Sequence, residues 1–430
     1  MEYRFGTLNH DLQFSKVNVI IIFLSVIFLF LRFFRLAELT NFTSDQGYLL
    51  LGAGQLIWEK KISLIGPMVI SKIVEGRGFF LGPLFYWFLA PLIVITGSDP
   101  LKITWVFIFL NLLAGLIVYK IGNDFFNQAI GLLAFSFFTF SPFLIEYSRF
   151  IWNPNIMVLV GAGFFYALFS LTKKSTSLLF FLIGILAGIG VEIHYSGFLL
   201  VLAFLVFVFW KKLWTSKGAL LFFLGLVVSN VPLLLFELRH NFYNTKTLFF
   251  IIRSGGLQNS ANFTFQWHYF LVLAPIFLIL MATIVAKLIS INKLIGYGLL
   301  ISLLAFFVLR IDFFRNHGFT MPEGWNINGV KKSSEMIHQD EKDKNYNIVA
   351  LLDGDTRALP FRYFLKTMGD EPLPVKDYPK AQTLYIVAQR MDKTELLQYP
   401  VWEIQTILPA SLVSMREIQG NIYLYKLERF

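Results

Sequence analysis

Up to about Arg310 this chain is a succession of long apolar runs separated by short basic clusters, and no other property narrows its fold as far. In hydrocarbon a backbone satisfies its N–H and C=O groups only within a helix or a closed barrel, and a helical crossing needs about 20 mostly apolar residues. Runs of about that length lie near 17–37, 103–119, 129–145, 155–172, 178–192, 195–210, 218–236, 266–286 and 293–310. They predict about nine helical spans. The apolar stretch 81–96 is shorter and opens with Gly82-Pro83, so it is expected to lie in the interface or re-enter rather than cross. Val17 to Leu31 is followed by Arg32, Phe33, Phe34 and Arg35, not by a small-residue cleavage site, and reads as a retained first span.

Charged residues make up 15% of the chain, against about 25% in soluble domains, and they are unevenly placed. After Asp312 the composition becomes that of an ordinary soluble protein. The expected fold class is therefore a polytopic α-helical membrane protein with a small C-terminal α/β domain. We divide it into a membrane domain over 1–311, with a first outer loop at about 38–102, a linker over 312–346, and an α/β domain over 347–430. In that last unit the pattern predicts strands at 347–352, 383–388, 401–407 and 421–427 and a helix at 357–367.

The net charge of +10 would suit a nucleic-acid partner, but no reading motif is present and the lysines sit at the ends of apolar runs. The absence of cysteine excludes disulfides, thiol nucleophiles and thiolate metal sites. Lys120, Lys173-Lys174, the group Lys211, Lys212 and Lys217, and the pair Lys287 and Lys293 fall at every second turn, which makes those turns cytoplasmic. The C-terminal domain then lies outside the cell membrane. If 81–96 does not cross, the N-terminus is cytoplasmic and the 38–80 segment is outside.

The opposite turns hold the chemistry. Span interiors carry almost no ionisable residues, which argues against an ion-coupled transporter. Four outer segments concentrate them instead: Asp45; Glu146 with Arg149; Glu192 with His194; and Glu237 with Arg239 and His240. Each has a plain structural reading. Asp45 follows Thr43 in a capping box closed by Gln46, and an acid in a first helical turn suits the dipole. The helix it opens, from Tyr48 to Trp58, reads as amphipathic and interfacial. Tyr147, Arg149 and Trp152 are ordinary interfacial anchors. Collected on one face, a carboxylate and several cations suit an anionic phosphate substrate and a neutral nucleophile. Gly354, between Asp353 and Asp355, makes no nucleotide fingerprint.

The order of these segments resembles the C-type (GT-C) glycosyltransferase superfamily, in its polyprenyl-phosphate-sugar branch, which includes protein O-mannosyltransferases and lipid A aminoarabinose transferases. The resemblance is carried by Thr43-Ser44-Asp45-Gln46-Gly47-Tyr48, by Gly82-Pro83-Leu84-Phe85-Tyr86-Trp87, by Ser141-Pro142 with Tyr147-Ser148-Arg149, and by His194. It covers about 17–240 by motif and the rest by layout. It implies transfer of a sugar, with inversion, from a polyprenyl-phosphate donor to a hydroxyl or amine of an acceptor protein, lipid or glycan. Asp45 would be the base. Arg149, His194, Arg239 and His240 would hold the leaving phosphate, with Tyr48, Glu146 and Glu192 beside the donor. The family's Asp-Glu pair is Asp45-Gln46 here, which leaves a divalent metal open, and Gly82 stands where Pro or His is common. The rival readings are a lipid-linked-sugar flippase or transporter, and a membrane scaffold with an outer binding domain.

Overall fold

The computed structural model describes residues 2–70, 78–253, 266–340 and 345–430, with side chains described from Lys16 on, Val69 and Ile70 excepted. Each of the nine apolar runs is helical. Among the described residues four helices are long and apolar enough to cross a membrane: Lys16–Phe33 within Glu2–Phe33, Pro100–Phe125, Asn153–Ser170 and Trp267–Ile291. A fifth is formed if Ser216–Ser229 and Val231–Arg239 are one span bent by 67°. Pro232, in the first turn of the second half, explains the break. Five further apolar helices are shorter: Leu84–Ile95, Gln128–Phe140, Ser177–Ile193, Tyr195–Trp210 and Lys293–Leu309. Close packing relies on small residues, as expected where lipid removes the hydrophobic drive between helices. A Cβ on Gly184 would overlap the carbonyl of Phe222, and one on Gly225 that of Phe181.

Two interruptions matter for the site. The run 129–145 stops at Phe140 because Pro142 has no N–H to give the Phe138 carbonyl. The buried guanidinium of Arg32 serves instead, donating to Phe138 O at 3.3 Å and Thr139 O at 3.1 Å. The second is Leu84–Ile95. At about 1.5 Å per residue it reaches roughly 18 Å, short of about 30 Å of hydrocarbon. Its first amide, Leu84 N–H, donates to Glu192 Oε2 at 3.2 Å. Just past its other end Ser98 O accepts from Tyr363 Oη of the C-terminal domain at 3.0 Å. The helix is thus tied to Glu192 at one end and, just past the other, to the C-terminal domain.

The C-terminal unit is a four-stranded sheet in the order β3-β4-β6-β5: β3 (Tyr346–Ala350), β4 (Thr383–Gln389), β5 (Ala410–Gln419) and β6 (Ile422–Arg429). A separate pair, β1 (Met68–Ile70) and β2 (Phe79–Phe80), lies in the first loop. β3 and β4 are parallel across the helix Leu359–Thr367, and the other pairings are antiparallel. The strand expected at 401–407 is the helix Trp402–Ile407, whose buried Glu403, Ile404 and Ile407 repeat at helical, not alternating, spacing. The strand that pairs with β6 is β5. Its sheet-edge position leaves it a weak apolar signal. The stretch 312–346, read as linker, carries the helix Ile327–Asp340, whose buried face includes Ser333 and Ser334 and so escaped a hydropathy reading.

Candidate active site

The helix Ser44–Trp58 starts as its sequence dictates. Thr43 is the N-cap, and Thr43 N–H donates to Gln46 Oε1 at 2.9 Å. Leu49, Leu50 and Ala53 are buried. Gly47 meets the backbone of Leu359 and Pro360 so closely that a Cβ would overlap both. The helix is held between Leu84–Ile95 and the C-terminal domain.

The acids of this face separate by what they hold. Glu192 Oε2 accepts from Leu84 N–H. Glu237 caps the helix Tyr243–Arg253, accepting from Asn244 N at 2.8 Å and from Thr245 N at 3.0 Å. Glu146 pairs with Arg315 at 2.6 Å and with Arg149 at 3.5 Å. Asp353 accepts from Ser44 N at 2.7 Å and Ser44 Oγ at 3.1 Å. Asp45 has no hydrogen-bond or ion-pair partner among the described residues and is exposed. The space it faces is a cavity of about 210 Å³.

Around that cavity stand Tyr48, Trp152, Asn153, His194, Tyr195, His268 and Tyr269. Protein surrounds the Asp45 carboxyl on most sides, and this loss of water, with the charges of Asp353 and Asp355, raises its pKa. Tyr48 Oη accepts from Met68 N at 3.1 Å, tying β1 to the site. His194 Nδ1 accepts from Ser196 N at 3.2 Å, which leaves the proton of the neutral ring on Nε2. Burial holds that ring neutral, with its pKa pressed down to about 3. His194 packs on Tyr195 with centroids 4.2 Å apart, and His268 on Trp152 at 4.5 Å.

Of the residues expected from sequence, Asp45, Tyr48 and His194 come together here. Arg149 does not. It is buried, its guanidinium donates to Leu31 O, and burial lowers its pKa to about 10 against the pull of Glu146. Glu146, Glu192, Arg239 and His240 are likewise absent from the cavity wall. Arg239 is exposed, and the His240 ring lies on Phe236 with centroids 4.3 Å apart. The residues missed are Tyr195, His268 and Tyr269. Their signal is a repeated dipeptide: His194-Tyr195 and His268-Tyr269 each open an apolar helix. Among the described residues no three His, Asp or Glu side chains converge as a metal would require.

Beside the polar cavity runs an apolar groove of about 360 Å³, lined by Phe143, Leu144, Trp267, Phe270, Phe277 and Leu278 among others. The two share the turn Trp267–Leu273, which sends His268 and Tyr269 to the cavity and Trp267 and Phe270 to the groove.

Residues 81–236 match the family model described as dolichyl-phosphate-mannose-protein mannosyltransferase. No curated protein matches the chain in sequence. Among solved structures, the chain shares its fold with the crystal structure of ArnT from Cupriavidus metallidurans bound to undecaprenyl phosphate. The TM-score is 0.55 at 10% identity, over 96% of this chain and 98% of that one. The chain thus shares the fold of that membrane protein over nearly its whole length, and residues 81–236 carry the signature of the mannosyltransferase family model.

Proposed function

We propose that the chain moves a sugar from a polyprenyl-phosphate donor to an acceptor hydroxyl or amine in the Asp45 cavity, on the outer membrane face and with inversion. The observation that carries this reading is that Asp45, alone among the acids described above, holds no partner and faces open space. A carboxylate kept unpaired and partly desolvated is poised to take a proton.

The acceptor oxygen or nitrogen attacks the anomeric carbon, and its proton passes to the Asp45 carboxylate. The bond from that carbon to the phosphate oxygen breaks, and polyprenyl phosphate leaves as an anion. A phosphate leaving group is already stable as an anion, so it needs donors aimed at it more than a proton. The neutral His194, with its Nε2–H, and the hydroxyls of Tyr48 and Tyr195 are our candidates. We set Arg149, Arg239, His240, Glu146 and Glu192 outside the donor contacts, because none lines the cavity. The adjoining groove suits a polyprenyl chain, and the ArnT structure of the same fold carries undecaprenyl phosphate. The test is transfer from a panel of radiolabelled polyprenyl-phosphate hexoses and pentoses, wild type against Asp45→Asn. A folded variant that binds donor but transfers about 10²–10⁴-fold more slowly is expected. Transfer within a few-fold of wild type removes the base assignment.

A further inference from the structure

We propose that Asp353, in the C-terminal domain, is a positioning residue of the transfer site: it caps the first turn of the Asp45 helix, so the small domain completes the site. The proposal rests on the reading of Asp45 as the base.

The contact is specific on both sides. Ser44 directly precedes Asp45 and gives both its backbone N–H and its hydroxyl to the two oxygens of Asp353, at 2.7 and 3.1 Å. The first turn of a helix has N–H groups without intrahelical partners. Here the local capping box leaves the Ser44 amide to a residue 309 positions away in the chain. The loop that delivers Asp353 is internally braced. Gly354 takes φ +81, which glycine adopts without cost. Arg357 then folds back, with Nε donating to Asp355 Oδ1 at 2.9 Å and its own N–H to the same oxygen at 3.1 Å. Behind the loop, Gly47 rests on Leu359 and Pro360, and Phe42 packs on Phe364 with centroids 5.6 Å apart. The helix is thus fixed at its start and along one side by the same domain.

Position and charge act together. Asp45 faces Asp353 and Asp355 from this loop, with Arg357 behind Asp355. Tyr48 lies on its own helix, and His194, Tyr195, His268 and Tyr269 lie across the cavity. Like charges favour the protonated acid, so removing the Asp353 charge lowers the pH at which Asp45 ionises. Asparagine at 353 still accepts from Ser44, whereas alanine does not.

The experiment measures kcat, donor KM and the pH profile of kcat/KM for wild type, Asp45→Asn, Asp353→Asn and Asp353→Ala, using a donor that wild type turns over. Asp353→Ala is expected to lower kcat by about 10–100-fold with donor KM within twofold. Asp353→Asn is expected to recover most of that rate, with the acidic limb displaced to lower pH. If Asp45→Asn is inactive while both Asp353 variants keep the wild-type rate and pH profile, the positioning role is overturned and the base assignment stands. If Asp45→Asn is active, the base assignment fails, and with it the route by which Asp353 would act. Should Asp353→Ala not fold, the acidic limb of Asp353→Asn decides the matter: displacement supports the proposal and coincidence with wild type overturns it.

Discussion

At the residue scale, an acid beside a helix start is informative only once its partners are known. Glu237 and Asp353 hold backbone amides, and their oxygens already accept hydrogen bonds. Asp45 sits one position from the same kind of amide and holds none, because Thr43, Gln46 and Asp353 already serve that helix start. The free carboxylate carries a consequence for pH. A base works only when ionised, and burial with Asp353 and Asp355 raises the Asp45 pKa. The acidic limb of kcat/KM should therefore fall above the ordinary carboxylate range, near 4, and loss of activity on acidification should begin at higher pH than for an aspartate free in water. A pH profile between 4 and 8 on the detergent-solubilised enzyme checks it. A limb at or below 4 would show that another group sets the profile. His194 does not contribute an opposing limb in that range, since it stays neutral down to about 3.

At the element scale, the two buried arginines act as helix ends. Arg32 serves the carbonyls left by the break before Pro142, and Arg149 serves Leu31 O near the end of the first helix. Each comes from an element other than the one it closes, so they lock the first helix to the Ser141-Pro142 turn. Arg149 also lies where the sequence points to a phosphate-binding cation, at a span end amid aromatic residues. The two roles are separable. Arg149→Met leaves Leu31 O without this donor while Glu146 keeps Arg315. Orphaning a buried polar group costs about 1–3 kcal/mol. The variant should melt earlier in detergent and, in the fraction that remains folded, bind donor as wild type does. A large drop in donor affinity without loss of stability would return Arg149 to the donor site.

At the scale of the whole molecule, the C-terminal domain, the first loop and the helix Leu84–Ile95 form one assembly over the polar cavity. Met321 and Thr320, from the segment after the last apolar helix, hold Phe42 N and Asn41 Oδ1. The first loop and the C-terminal domain must then lie on the same side of the membrane, and from the alternation of lysines we propose that this side is the outside. The chain lacks cysteine, so single sites can be introduced for labelling. Lys61→Cys and Lys376→Cys should react with a membrane-impermeant maleimide in intact cells. Lys174→Cys and Lys212→Cys should react only after permeabilisation. Labelling of position 61 and position 376 from opposite sides would contradict the contact itself.

Apolar run length, the capping box at Thr43 and the change of composition after Asp312 are local properties. They were sufficient to read a helical membrane protein, its small C-terminal unit and the start of the Asp45 helix directly from the chain. Local patterning failed where burial is decided by distant packing. The serine-bearing face of Ile327–Asp340 and the edge strand β5 carry too little apolar signal to be seen alone. The site divides in the same way. Asp45, Tyr48 and His194 lie in segments whose order is recognisable, but which acids are free depends on the amides that folding brings to each, Asn244 and Thr245 to Glu237 and the distant Leu84 to Glu192. Residue type makes Glu192, Glu237 and Asp45 equivalent at one membrane face. Only the tertiary structure gives the first two helix starts to hold and leaves the third to the cavity, because the turn that brings Asn244 to Glu237 and the packing that brings Leu84 to Glu192 exist only after the chain has folded.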